Sequence, residues 1–152
     1  MTAVTKQEKA AKRAPGFASA REFREVLDET LSMLDSDERS GPRFRASGMN
    51  IRFELPDIGS VLDVAAGDGE THNLRWKFGP SDWAPKLQLR MDSDFANEFL
   101  QGRESLAIAV ARGRVRVTGE PRFTLLYVPA LRLLVEPYRR AVHALHPAME
   151  MA

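Results

Sequence analysis

The 152-residue sequence predicts an α+β fold in which an antiparallel sheet is covered on one face by helices. Three observations carry that prediction. Four segments between residues 50 and 92 alternate apolar and polar side chains, the period of a half-buried strand, and turn-rich stretches separate them. A segment before them repeats apolar residues at the helical period. Behind them come two short helix patterns, a fifth alternating segment and a leucine-rich C-terminal stretch. A sheet with one apolar face needs a cover, and the helical segments supply it.

The first helix opens at Ser19-Ala20-Arg21-Glu22, a capping-box spacing, and its apolar stripe is Phe23, Val26, Leu27, Leu31 and Leu34. Gly41-Pro42 is read as its end and the start of a loop. The strands follow. Ile51, Phe53 and Leu55 share one face of the first, and Val61 to Ala66 form the second. Gly67-Asp68-Gly69 is a hairpin signal. Leu74, Trp76 and Phe78 define the third strand, and Leu87, Leu89 and Met91 the fourth. In this order they make an antiparallel meander whose wet face carries Arg52, Arg75, Lys77 and Arg90. Asp92 or Ser93 can cap a helix bearing Phe95, Phe99 and Leu100 that stops at Gly102. Ser105 can start another, with Leu106, Ala109 and Val110 inward and Gly113 as its stop. Residues 114–119 form the fifth strand. Phe123 to Leu145 is helical, cut into pieces by Pro129 and Pro137.

Composition bounds the function. A formal net charge of +1 and a pI of 8.1 fall short of the pI above ~9 of a basic nucleic-acid binder, so no nucleic-acid partner is expected. Cysteine is absent, which excludes a disulfide, a thiolate metal site and a cysteine nucleophile. No apolar run reaches the ~18 residues of a membrane span, and the first residues lack an apolar signal core. The expected location is cytoplasmic, with at most peripheral membrane contact. Residues 1–16, with Lys6, Lys9, Lys12 and Arg13 against Glu8, are expected as a disordered basic tail. The folded domain is placed at 17–147 and a short C-terminal tail at 148–152.

The stretch Leu87-Gln88-Leu89-Arg90-Met91-Asp92-Ser93-Asp94-Phe95, then Leu100-Gln101-Gly102, then Arg112-Gly113-Arg114-Val115-Arg116-Val117-Thr118-Gly119 resembles the sterol-carrier-protein-2 family of lipid-binding domains. The resemblance spans roughly residues 20–142. Residues 43–85 match in strand order more than in identity. It implies a twisted, mostly antiparallel five-stranded sheet with helices on one face and an apolar cavity between. It also implies binding of sterols, fatty acyl chains or similar lipids without catalysis and without a cofactor. Two departures stand out: Pro129 and Pro137 break the C-terminal segment, and the chain ends Glu150-Met151-Ala152 rather than in a peroxisomal signal.

The residues at which strand and helix faces converge are the expected cavity lining: Phe53, Leu74, Trp76, Leu89, Phe95, Phe99, Leu106, Val110, Leu126 and Leu133. The same residues serve equally as plain core. His72 shares the parity of Leu74, Trp76 and Phe78, so it is expected on the core side, near an edge, where it can meet a ligand head group. His143 and His146 lie three apart on one helical face without further ligands in sequence, so no metal site is expected. No dinucleotide fingerprint, phosphate loop or nucleophile elbow is present. The segment Leu125 to Val135 is apolar on nearly all sides, more than one helix can bury against a sheet. Hence the alternatives: a cavity-less interaction module, an accessory subunit of a lipid- or quinone-pathway enzyme, or a homodimer through this segment. An enzyme on the same fold is a third possibility that no motif selects.

Overall fold

The computed structural model describes residues 14–151. Helices α1 (Ala20–Ser36) and α2 (Ser40–Ala46) precede strands β1 (Asn50–Leu55), β2 (Ser60–Ala66), β3 (Leu74–Phe78) and β4 (Leu87–Met91). Helices α3 (Ser93–Leu100) and α4 (Leu106–Ala111), strand β5 (Val115–Gly119), and helices α5 (Pro121–Arg132) and α6 (Val135–Leu145) complete the order. The sheet runs β3-β2-β1-β4-β5. Three of its pairings are antiparallel, and β1 pairs with β4 in parallel.

That parallel pairing corrects the expected meander. β4 does not pair with β3; the chain leaves the β3 edge and returns on the far side of β1. The connection, residues 79–86, crosses the face opposite the helices. It is held there by Arg52, whose guanidinium bonds the Asp63 carboxylate (2.7 and 3.2 Å) and donates to the Trp83 carbonyl (3.0 Å). Ser81 also donates to Asp63, and Arg75 stacks over the Trp83 ring at 4.6 Å. Arg52 is therefore half of a covered ion pair rather than part of an open basic face, and Asp63 is buried.

The helix-facing side holds the core. Ile51, Phe53 and Leu55 stand beside Leu62 and Val64 on one flank and Leu87, Leu89 and Met91 on the other. α1 lies over them with Phe23, Val26, Leu27, Leu31 and Leu34 all buried, as its periodicity requires. Ser19 accepts the Glu22 N–H at 3.2 Å, the capping half of the predicted box. Across α1 lies α6, with Tyr138, Ala141 and Val142 buried.

Three boundaries differ from the sequence reading. Gly41-Pro42 does not end a helix; α1 stops at Ser36, and both residues sit in the first turn of α2, where a proline removes no helix bond. Pro129 lies inside α5 without cutting it, and Pro137 occupies the first turn of α6. The break falls instead at Leu133-Leu134. Both ends of the described chain are packed. Of the expected tail, residues 1–13 lie outside the described residues, whereas Ala14 is buried and the Pro15 carbonyl accepts from Asn97 (3.0 Å). At the other end, Met149 is buried and its carbonyl accepts from Asn97 and Gln101, both at 2.9 Å.

Candidate functional site

Two of the hollows on the helix-covered side have the most apolar side chains in their lining. The first is a seam between α1 and the sheet, bounded by Leu27, Leu31, Phe53, Leu62, Val64 and Met91. It is about 10 Å³ in volume, at the lower limit for a single water. The second has a volume of about 230 Å³. Its apolar wall is Phe99 of α3, Leu106 of α4, Val128 and Leu131 of α5, and Val135 of α6. Arg103, Glu104, Ser105 and Arg132 supply the polar part of its lining.

The α3–α4 wall is fixed by local chemistry. Gly102 ends α3 with φ 78°, and a Cβ there would come within 3.1 Å of Val135, so the backbone can turn against α6 only without a side chain. Arg139 of α6 donates twice to the Gln101 carbonyl (3.0 and 2.6 Å) and ties the end of α3 down. Ser105 accepts the Ile108 N–H at 3.2 Å and caps α4. Glu104, almost wholly covered, pairs with Arg112 (3.1 Å) and Arg114 (3.2 Å). Arg114 also reaches Glu98 at 2.7 Å and stacks over Phe95 at 4.5 Å. Behind the wall, Asn97 Oδ1 accepts from Tyr138 and from Gln101, both at 2.7 Å. Burial pushes the Tyr138 hydroxyl well above the ordinary tyrosine range, so it is a permanent donor.

The opposite wall, α5, is held differently. Tyr127, Ala130 and Leu131 are buried beneath it, yet it is the one helix among the described residues whose backbone packs closely on no single other element. Leu125 is 79% exposed and Leu126 60%.

The residues expected to line a cavity divide accordingly. Phe99 and Leu106 line the 230 Å³ cavity, and Phe53 lines the closed seam. Leu74, Leu89 and Phe95 are buried core, while Trp76 and Leu133 pack against that core. Trp76 points to the helix side as its parity requires, donating to Asp28 at 3.0 Å. Val110, expected inward, is exposed, and Leu126 faces outward. Val128, Leu131 and Val135 belong to the segment read as apolar on nearly all sides, though they were not singled out as lining. Val128 and Leu131 share one face of α5, and Val135 joins them from the start of α6.

His72 lies on the helix side near the sheet edge, as its parity requires. It stands exposed in the loop before β3, with Nδ1 2.6 Å from Asp35 Oδ2, and is not among the cavity residues. Its partner Asp35 and the Trp76 partner Asp28 both lie on α1, so strand parity extends to residue 72, although loop 67–73 folds back at Gly67, where a Cβ would collide with the His72 carbonyl. Asp35 also accepts the N–H groups of Asn73 (2.7 Å) and Leu74 (2.9 Å), clamping the end of α1 to β3. The hydrogen bond and the negative charge of Asp35 raise the His72 pKa. Burial pushes the Asp35 carboxyl up, but the bonds from His72, Leu74 and Asn73 outweigh it and its pKa is lowered. His143 and His146 pair with Glu150 (2.5 Å) and Glu25 (3.2 Å).

No family model and no curated protein matches the sequence. Solved structures do match its shape. A conserved hypothetical protein of Thermus thermophilus, described as possibly a sterol carrier protein, superposes with a TM-score of 0.57 at 18% identity, over 84% of this chain and 94% of that one. A crystal structure of sterol carrier protein 2 gives 0.54 at 16%, over 75% and 93%. The UbiJ-SCP2 ubiquinone synthesis protein gives 0.52 at 16%, over 72% and 90%. The chain also matches part of the sec-alkylsulfatase Pisa1 from Pseudomonas, of whose length it spans 14%. The mixed five-stranded sheet with helices on one face is the fold of the sterol carrier protein 2 domains.

Proposed function

We propose that this protein holds an apolar ligand, a fatty acyl chain or a similar lipid, in the cavity between α3–α4 and α5, without catalysing a reaction on it. The observation that carries this reading is the 230 Å³ cavity with five apolar wall residues, beside a core that otherwise closes to about 10 Å³. Hydrocarbon transferred into such a wall contributes about 0.8 kcal/mol per methylene, so binding needs no reactive group. The cavity is smaller than the about 300–1,000 Å³ of most small-molecule sites. A chain therefore enters end-on, and a sterol-sized ligand requires α5 to move outward. The fold likeness to sterol carrier protein 2 supports the same class of ligand.

Uptake of a fluorescent fatty acid tests it. The protein should bind one probe saturably, and Leu106→Trp, which fills the cavity, should weaken binding by at least about tenfold, or 1.4 kcal/mol, while unfolding stays cooperative. No uptake of any acyl chain or sterol, or uptake indifferent to Leu106→Trp, would sink the reading. A second reading, an accessory subunit of a quinone- or lipid-pathway enzyme, draws support from the exposed Leu125 and Leu126 and from the fold likeness to the ubiquinone synthesis protein. Co-purification of a stable protein partner lost in Leu125→Gln/Leu126→Gln favours it.

A further inference from the structure

Three arginines, Arg90, Arg114 and Arg116, border an open hollow of about 320 Å³ that Pro56, Asp92 and Gly113 help to complete. It lies where β1 and β4, which run in parallel, both end and β5 begins. Arg114 is already committed. It pairs with Glu98 at 2.7 Å and Glu104 at 3.2 Å and lies over Phe95, so it forms a fixed side of the hollow. Arg90 and Arg116 differ. Both are exposed on the face away from the helices, and among the described residues neither guanidinium has an ion-pair or hydrogen-bond partner. The two are direct partners in the antiparallel β4–β5 register. Like charges so placed, with Cβ atoms about 4.5–5.5 Å apart, are destabilising. The neighbouring row of the same face avoids this, because Arg52, Asp63 and Lys77 alternate in sign across β1, β2 and β3. In the row of the hollow, Glu54 stands beside Arg90, so one carboxylate faces two arginines, and Arg116 at the sheet edge is left with like charge alone. Asp92 borders the hollow without pairing to either.

We infer that Arg90 and Arg116 bind the phosphate group of a small soluble molecule seated in this hollow. A guanidinium fork matches phosphate oxygens two at a time, and a dianion between two like charges turns their repulsion into attraction. The volume falls within the about 300–1,000 Å³ of small-molecule sites. The site is separate from the apolar cavity, with which it shares no lining residue.

Isothermal titration of the full chain with inorganic pyrophosphate in chloride buffer of fixed ionic strength tests this. Binding should be saturable at one site and should weaken as salt is raised. Arg90→Gln and Arg116→Gln should each reduce it at least about tenfold. Lys77→Gln/Lys86→Gln, which removes two exposed positive charges outside the hollow, should leave it unchanged. Arg116→Gln also ends the like-charge contact, so it should raise the ligand-free Tm by about 1–4 °C while losing the Tm gain that pyrophosphate gives the wild type. Fatty-acid uptake should be the same in wild type and both arginine variants, so either site can fail without the other. Absence of pyrophosphate binding overturns the inference, and so does an equal loss in the lysine double variant, which would mark general attraction to positive charge. A lowered ligand-free Tm in Arg116→Gln would make the pair structural and overturns it too. Binding to vesicles of phosphatidylcholine with phosphatidic acid, without binding of pyrophosphate, would place the phosphate on a lipid and overturn the soluble source.

Discussion

The two hollows on one side of the sheet are built in opposite ways. Between α1, α6 and the strands, side chains close to about 10 Å³; at the α4–α5 corner the same layer leaves about 230 Å³ and two leucines in solvent. In the closed half Asp35 ties α1 to β3, while Asn97, bonded to both chain ends, and Arg139, bonded to the end of α3, brace the α3–α4 wall. The open half has one braced wall and one wall, α5, resting on three buried side chains. Packing closes the first and leaves open space in the second.

The strongest way to break that contrast is to cut a large side chain from each half. Leu31→Ala removes a fully buried leucine from the closed half and should cost about 2–5 kcal/mol in urea unfolding. Val128→Ala, at a wall that already faces empty space, should cost less than about 1 kcal/mol and act mainly on ligand binding. Equal losses would mean that the corner is packed as tightly as the rest.

Asn97 comes next. It donates to the Pro15 and Met149 carbonyls and accepts from Tyr138 and Gln101, the last three bonds being buried. Asn97→Ala should cost about 2–4 kcal/mol. It should also speed hydrogen exchange at residues 14–17 and 147–151 before the sheet is affected. Uniform loss of protection would contradict its role as a local anchor.

These braces also show where the sequence ceased to be legible. The strands were readable because each buries one face, and period-2 alternation records that directly, from Ile51-Phe53-Leu55 to Leu87-Leu89-Met91. The helix stripe of α1 was readable for the same reason. Strand order was not. The parallel β1–β4 pairing depends on where loop 79–86 crosses, and that rests on Arg52, Asp63, Ser81 and Trp83, residues far apart in sequence. Proline misled three times, because its effect depends on position in the helix: at Pro42 and Pro137 there is no bond to lose, and Pro129 stands on the exposed side of α5. Of the residues expected as lining, Phe99 and Leu106 border the 230 Å³ pocket, and Val128, Leu131 and Val135 had been read only as part of an all-round apolar segment. The side of the sheet that His72 takes was legible from parity, whereas its partner Asp35, 37 residues away, was not.

The smallest effect concerns the Asp35–His72 clamp. The His72 pKa is raised, so its contribution is fully present below the ordinary histidine value of 6.5 and is lost as pH rises through the raised value. The Asp35 pKa is lowered, so its contribution is present above the ordinary 3.8 and fades only as pH falls through the lowered value. The pair therefore stabilises most in the mildly acidic range between. His72→Gln should lower Tm there and leave Tm nearly unchanged in mildly alkaline buffer, whereas a pH-independent loss would show that the charge plays no part. Because the clamp lies in the closed half, fatty-acid uptake should not follow its titration.

The most direct test of the account is where a bound chain lies. A fatty acid carrying a photoactivatable diazirine near its tail, bound, irradiated and mapped by peptide mass spectrometry, should label peptides containing Phe99, Leu106, Val128, Leu131 or Val135. Labelling confined to Leu27, Leu31, Phe53 or Leu62, or displacement of the probe without any label at the α4–α5 corner, would contradict it.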